Sequence, residues 1–249
     1  PADCHLVGKE IFRFHTVIWP AMLLALGLPL PKKVFAHGWW TAEGEKMSKS
    51  RGNVVEPEKI ANEYSVDAFR YFVLREIPFG NDGDFSMEAF RQRYNSDLAN
   101  DFGNLVSRTL TMVEKYSSAM IPSPHATDEQ LPRLFSDLEN KIDTYFNNLE
   151  FQQVLITLWK IIAYLNRYID EKAPWDLAKK SNQQLKNILY NLIESLRLLA
   201  VYLYPFIPNT CEKIFHQLGV NLDEKYNFNW GAAPDGVKIA KGPILFPRK

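Results

Sequence analysis

The apolar residues of this chain change their period near Pro57, and that change constrains the fold more than any other feature. Before it, CHLVG (4–8) and VFAHGWW (34–40) are short apolar runs of strand type. Between them a helical pattern runs from Glu10 to Leu26 and ends in Gly27-Leu28-Pro29. Strand, helix, strand at this spacing predicts a βαβ unit, with ligands expected at the carboxyl ends of its parallel strands. After Pro57 the period is helical. PEKIANEYS and DAFRYFVLRE read as short helices, PFGNDGDFS (78–86) as a turn-rich connector, and Met87 to Ser118 as one long helix with Ser86 as its N-cap. IPSPHATD (121–128) reads as a linker. Three more helices fit 129–149, 151–171 and 182–204, with breaks at Ala173-Pro174 and at YPFIP (204–208). The tail GVKIAKGPILFPRK is irregular and ends extended. The expected architecture is therefore the end of an α/β domain, a short connector and a helical bundle.

Composition narrows the function classes only a little. With 249 residues, 46% hydrophobic and 23% charged, the chain has the make-up of a globular protein with a sizeable core. Lys+Arg 29 balances Asp+Glu 29, so any surface for RNA must be local. Cys4 and Cys211 are far apart and outside any CxxC pattern, which excludes a disulfide framework or a cysteine zinc site within this chain and fits a reducing compartment. The most apolar stretch, 21–31, is interrupted by Gly27, Pro29 and Pro31, too soon to span a membrane, and no signal peptide is visible. The start, PADCHLVGKE, reads as though cut from inside a longer polypeptide.

GEKMSKSRGN (44–53) gathers three cations and two hydroxyls between glycines. Lys46 and Lys49 can converge on a polyphosphate, Ser48 and Ser50 offer hydroxyls, and Gly44 and Gly52 let the backbone approach a ligand. A solvated turn is the alternative; position after a strand end favours phosphate. On the long helix, Phe90, Tyr94, Leu98, Phe102, Leu105, Val106, Thr109 and Val113 mark a buried stripe. Asn104 and Arg108 project to the opposite side, roughly 200–240° from Phe102. Arg93, Asp97, Asn100, Thr111 and Lys115 share that side, which by geometry alone is a solvated helix face. At Ala173-Pro174-Trp175 a helix break can push an aromatic outward; a Trp capping the bundle reads equally well.

KMSKS resembles the second signature of class I aminoacyl-tRNA synthetases. HLVGKE (5–10), RFHTVIWPAML (13–23) and the spacing of PLPKKVFAHG before the loop are similar to the methionyl-tRNA synthetase family. The resemblance continues through VDAFRYFVLREIPFGNDGDFS into the helical region and is weakest at 120–150 and 220–249. It implies the end of a Rossmann-type catalytic domain with the KMSKS loop (1–55), a connector of stem-contact type (56–85), a mainly α helical-bundle anticodon-binding domain (86–230) and a tail (231–249). It further implies Lys49 as the main ATP phosphate contact with Lys46 in support, Ser48 and Ser50 beside them, Gly8 and Glu10 at the ribose, Lys9 near the ATP and Trp40 by the adenine. Many relatives have Asp at the position of Glu10, so a direct ribose bond is less secure here.

Ile11 and His15 would line the methionine side-chain pocket; without the family, His15 reads as a satisfied helix histidine. Asn104, Arg108, Pro174 and Trp175 would read anticodon bases. The implied partners are tRNA(Met), methionine, ATP with Mg2+, and an N-terminal half carrying the first signature and any zinc. That half would supply much of the site, so activity from this chain alone is not expected. The implied reaction is methionyl-adenylate formation and transfer to tRNA, in the cytoplasm or an organellar matrix. The alternatives are another class I synthetase (isoleucyl, valyl, leucyl or cysteinyl), a noncatalytic tRNA-binding module, and a nucleotidyltransferase with a similar lysine loop, which leaves the anticodon-type helices unexplained.

Overall fold

A computed structural model describes the chain except for Lys49, Arg51 and residues 124–128, 181–182 and 222–225. Most of the expected 121–128 linker therefore lies outside the described residues. The βαβ unit forms as its pattern requires. Strand β1 (His5–Gly8) pairs in parallel with β2 (Val34–His37), His5 opposite Val34 and Gly8 opposite His37. The crossover is helical but uneven: a 3-10 turn at Lys9–Ile11, a π segment at Phe14–Ile18 and α1 (Trp19–Ala25).

The run ending at Trp40 divides. After β2 the chain turns into β3 (Trp40–Ala42), which folds back on β4 (Glu45–Lys46) as a hairpin. Its two turn residues, Glu43 and Gly44, have φ of 53° and 77°, the left-handed pair that a tight hairpin with the correct twist needs. Strand β5 (Gly83–Phe85), inside the stretch read as connector, pairs in parallel with β3 and completes the order β4-β3-β5. Asp84 explains the attachment: its Oδ1 accepts from Thr41 Oγ1 at 2.5 Å and from the Gly44 N–H at 2.8 Å.

The helical part follows its apolar period. α2 (Pro57–Glu63) and α3 (Val66–Arg75) lead to β5, and Ser65 and Ser86 cap α3 and α4 (Met87–Arg93) by accepting from the N–H groups of Ala68 and Ala89. The expected long helix continues from α4 through Tyr94–Gly103 into α5 (Asn104–Tyr116), but its middle is a π helix. In that wider turn each residue rotates the chain by less than the 100° used for the projection. Asp97, expected on the open face, is consequently buried and accepts from Tyr71 Oη at 2.7 Å and from Arg93 Nη1 at 3.3 Å. The rest of the stripe is buried as expected, from Phe90 to Val113.

α6 (Gln130–Asn147), α7 (Phe151–Lys172) and α9 (Gln183–Leu203) match the expected helices within a few residues, with the short α8 (Pro174–Leu177) between the last two. α10 (Pro208–Leu218) was not anticipated; Pro208 opens it, and Cys211, Ile214, Phe215 and Leu218 form its buried stripe. At the bundle's centre lies a buried ion pair. Arg197 donates to both Glu194 oxygens at 2.9 and 2.7 Å and to the carbonyls of Asn227 and Asn229 at 2.6 Å each. The Glu194 carboxylate also accepts from the N–H groups of Gly231, Ala232 and Ala233. The pair thus fastens the segment after α10 to the core.

Removing one member leaves the other charged and without its partner in the interior, so Glu194→Ala should lower unfolding free energy by about 3–5 kcal/mol. Arg133→Ala, which breaks an exposed pair with Glu129, should change it by less than about 0.5 kcal/mol. Urea denaturation of both variants checks the contrast.

Candidate functional site

The carboxyl ends of β1 and β2 place Gly8-Lys9-Glu10 and Gly38-Trp39 side by side, the location at which parallel sheets bind ligands. Lys9 Nζ donates to both Asp82 oxygens at 2.6 Å and lies 4.2 Å from the centroid of the Trp39 ring. The Trp39 indole N–H donates to Glu10 Oε2 at 2.9 Å. That hydrogen bond, with the Glu10 backbone in support, holds the Glu10 carboxyl below its ordinary range. The Lys9 hydrogen bond does the same for Asp82, assisted by the Trp39 backbone N–H. Lys46 reaches the same indole from the hairpin, 6.0 Å from its centroid.

Trp40, placed by the resemblance beside the adenine, packs against the core with its ring 6.2 Å from Phe72, whereas its neighbour Trp39 is 51% exposed and stands among Lys9, Glu10 and Lys46. Successive residues of an extended backbone point to opposite sides, which separates the two rings. Sequence reasoning missed Trp39 and Asp82; Asp82 lies 73 residues from Lys9 and carries no local signal of its partnership.

The lysine loop rises from the β3–β4 hairpin, with Lys46 exposed at the end of β4. Its base is closed by Asn53, whose Oδ1 accepts from the Ser48 N–H at 2.8 Å and whose Nδ2 donates to the Lys46 carbonyl at 3.2 Å. Ser48 Oγ and Ser50 Oγ are 2.8 Å apart, and Gly52 adopts φ 69°. Lys49, the expected main phosphate contact, lies outside the described residues.

His15 lines a cavity of about 280 Å³ with His5, Phe14, Ile18, Trp19 and Met22. Its Nδ1 is 3.1 Å from the Ile11 carbonyl; a carbonyl can only accept, so Nδ1 carries the hydrogen. His15 is thus both a satisfied helix histidine and a cavity wall. Ile11 is exposed and does not line this cavity.

At the other end of the molecule, Asn104 is exposed on the first turn of α5 and borders a cleft of about 560 Å³ with Ser107 and the tail residues Phe246 and Arg248. Arg108 Nη2 donates to Asp170 Oδ1 at 2.5 Å, which ties α5 to the last turn of α7. Ala173, left-handed at φ 41°, ends α7; Pro174 is buried and Trp175 is 40% exposed. The break therefore turns the indole outward, five residues beyond the anchor of Arg108. The sequence placed the Asn104–Arg108 pair and Trp175 on separate helices; the Asp170 link, which it did not supply, joins the two segments.

Two family models match the chain. One, described as tRNA synthetases class I (M), matches residues 2–110; the other, described as the anticodon binding domain of methionyl tRNA ligase, matches residues 121–246. A methionine–tRNA ligase of Caldanaerobacter subterraneus is 53% identical over 255 residues, covering 100% of this chain and 40% of that protein. The Bacillus subtilis methionine–tRNA ligase is 49% identical over 258 residues, covering 100% and 39%. The chain spans about 40% of the length of these relatives. Among solved structures, the Mycobacterium tuberculosis methionyl-tRNA synthetase in complex with methionyl-adenylate superposes with a TM-score of 0.94 at 36% identity, covering 100% of this chain and 50% of that one.

The Trp39–Glu10 contact makes a pH prediction. Because the folded carboxyl is depressed, its contribution is present above the unfolded value of 4.5 and is lost as pH falls through the folded one. The indole 15N–H resonance of Trp39 should therefore shift with a midpoint below pH 4.5. A titration midpoint at or above 4.5 would contradict the contact.

Proposed function

The chain belongs to the methionyl-tRNA ligases, joining part of a class I synthetase catalytic domain to a helical anticodon-binding domain, and on that premise we propose that it supplies the ATP-phosphate clamp and the anticodon reader of a methionine–tRNA ligase. One observation carries the proposal: lysines from two distant motifs, Lys9 and Lys46, converge on the face of Trp39 at the strand ends. In the reaction the methionine carboxylate attacks the α-phosphate of ATP and pyrophosphate leaves; a hydroxyl of the terminal ribose of tRNA(Met) then takes the methionyl group and AMP leaves. Negative charge grows on the phosphates in the first step. Lys49, with Lys46 and Lys9, stabilises that charge more in the transition state than in the ground state. Ser48 and Ser50 add hydroxyl donors. Gly8 and Glu10 face the ribose; Glu10 is already engaged by Trp39 but has lone pairs for a further donor. The aromatic near the base is Trp39, with the Trp40 backbone beside it.

Among the described residues no three His, Cys, Asp or Glu side chains gather to hold a metal. Mg2+ would arrive with the nucleotide and offset the charge of its phosphates. Zinc is assigned to the portion of the relatives that this chain does not span. That portion also supplies the rest of the nucleotide fold and of the methionine pocket around His15. Support comes from the exposed apolar surface left by Leu6, Phe14, Val17, Ile18, Trp19 and Met22 beside a sheet that has two strands among the described residues. We divide the chain into a catalytic segment (1–55), a connector (56–85), the anticodon domain (86–230) and a tail (231–249), and place the enzyme in the cytoplasm or an organellar matrix.

Asn104 and Arg108 bond the edges of unstacked anticodon bases, and Trp175, set outward by Pro174, stacks on one. The 249-residue chain should bind a tRNA transcript with a CAU anticodon in preference to one with a single base changed, at fixed salt. Trp175→Ala should remove about 1–3 kcal/mol of that binding and the preference with it. Equal binding of both transcripts by the unaltered chain would remove the anticodon assignment. In the full-length enzyme, Lys49→Ala should slow methionine-dependent ATP–pyrophosphate exchange by about 100-fold with methionine affinity within about 2-fold. Equal losses of rate and affinity would exclude a transition-state role.

A further inference from the structure

The loop between α3 and β5 does more than connect them. A Cβ on Gly38 would lie 2.4–2.5 Å from the backbone of Asn81 and Asp82, so the end of β2 and this loop meet directly. The contact delivers Asp82 to the nucleotide side of the sheet. Its Oδ1 accepts from the Trp39 backbone N–H at 2.8 Å, and both of its oxygens accept from Lys9 Nζ at 2.6 Å. The ammonium rests on the Trp39 ring, and the ring's own N–H is held by Glu10, the neighbour of Lys9. Lys9, Asp82, Trp39 and Glu10 thus form a closed circuit of contacts. All four side chains are exposed, and exposed ion pairs add little to stability, so folding alone gives no reason to order this lysine.

We propose that Asp82 is a positioning residue for Lys9: it fixes the ammonium on the Trp39 face, so that the lysine meets the phosphates of bound ATP already ordered. The inference rests on the nucleotide reading above. A free lysine has a flexible four-carbon stem, and each rotamer it must give up on binding weakens the contact. The ammonium has three donors and the carboxylate engages at most two, which leaves one for a phosphate oxygen. The carboxylate is anionic at neutral pH, since the lysine and the Trp39 N–H both depress its pKa. The connector therefore contributes to the nucleotide site through a residue that never touches the nucleotide.

The test is ATP–pyrophosphate exchange by the full-length enzyme, with kcat and the KM for ATP and for methionine measured separately. Asp82→Ala should lower kcat/KM for ATP by about tenfold, leaving the methionine KM and the melting temperature unchanged, and Asp82→Glu should recover part of the loss. Adding Asp82→Ala to Lys9→Ala should cost nothing further, because one acts through the other. Additive losses in that double variant, or faster exchange in Asp82→Ala, would overturn the positioning role while leaving the nucleotide reading intact. If Lys9→Ala and Lys46→Ala both leave exchange unchanged, the nucleotide reading itself falls, and this inference with it.

Discussion

The Asp67 carboxylate is the point on which the two parts of the molecule are joined. It is buried on the first turn of α3, yet it accepts from the Thr210 N–H at 2.6 Å and the Thr210 hydroxyl at 2.7 Å, closing the N-terminus of α10. One turn further, Arg70 donates to the carbonyls of Phe206 and Pro205, and Tyr71 donates to Asp97 in the π segment. The opposite side of α3 carries Phe72 against Phe85, Phe90 and Trp40. A ten-residue helix therefore faces the small sheet on one side and the bundle on the other. The buried Asp67 and Tyr71 side chains both have partners, which fixes the register of the helix against both and favours a single arrangement of the parts.

Such a junction gives the lysine hairpin a stable base. β3 is held to β5 by backbone pairing and by Asp84, and β5 follows directly from the loop that carries Asp82. The proposed nucleotide side is therefore assembled from three separated stretches, at 8–10, 38–46 and 80–85. The proposed surface for RNA is likewise assembled from two, α5 and the break after α7, joined through Arg108 and Asp170. In both places an ion pair brings together segments distant in sequence, and one member of each pair, Lys9 or Arg108, is a side chain with a proposed role in binding.

The elements of the fold were legible where a single period governed them. The stripe from Phe90 to Val113, the Ser86 cap, the βαβ spacing and the limits of α6, α7 and α9 all follow from local pattern and burial. What escaped depended on partners far away. Nothing near Asp97 announces that Tyr71 will draw it inward, and nothing near Asp82 announces Lys9. α10 was hidden by the prolines before it, although Pro208 is the residue that starts it. Trp39 and Trp40 illustrate the limit best: two identical residues in an apolar run, separable only once β3 is known to begin at the second. For the site, the loop lysines could be read from their types as candidates and the Asn104–Arg108 pair only through the resemblance, while their partners Asp82, Asn53 and Asp170 could not be read at all.

The π segment in the middle of the long helix sets a phase between its two ends. Tyr94–Gly103 unwinds the ladder enough that α4 and α5 present their apolar stripes to the same core although the helical count between them is irregular. In a plain α-helix an extra residue turns everything beyond it by about 100°. Here the wide turns spread that difference over the segment, so that Leu105 and Val106 reach the core that Phe90 and Tyr94 face, while Asn104 stays exposed. Which side chains α5 turns outward is therefore a matter of arithmetic along the backbone as much as of chemistry.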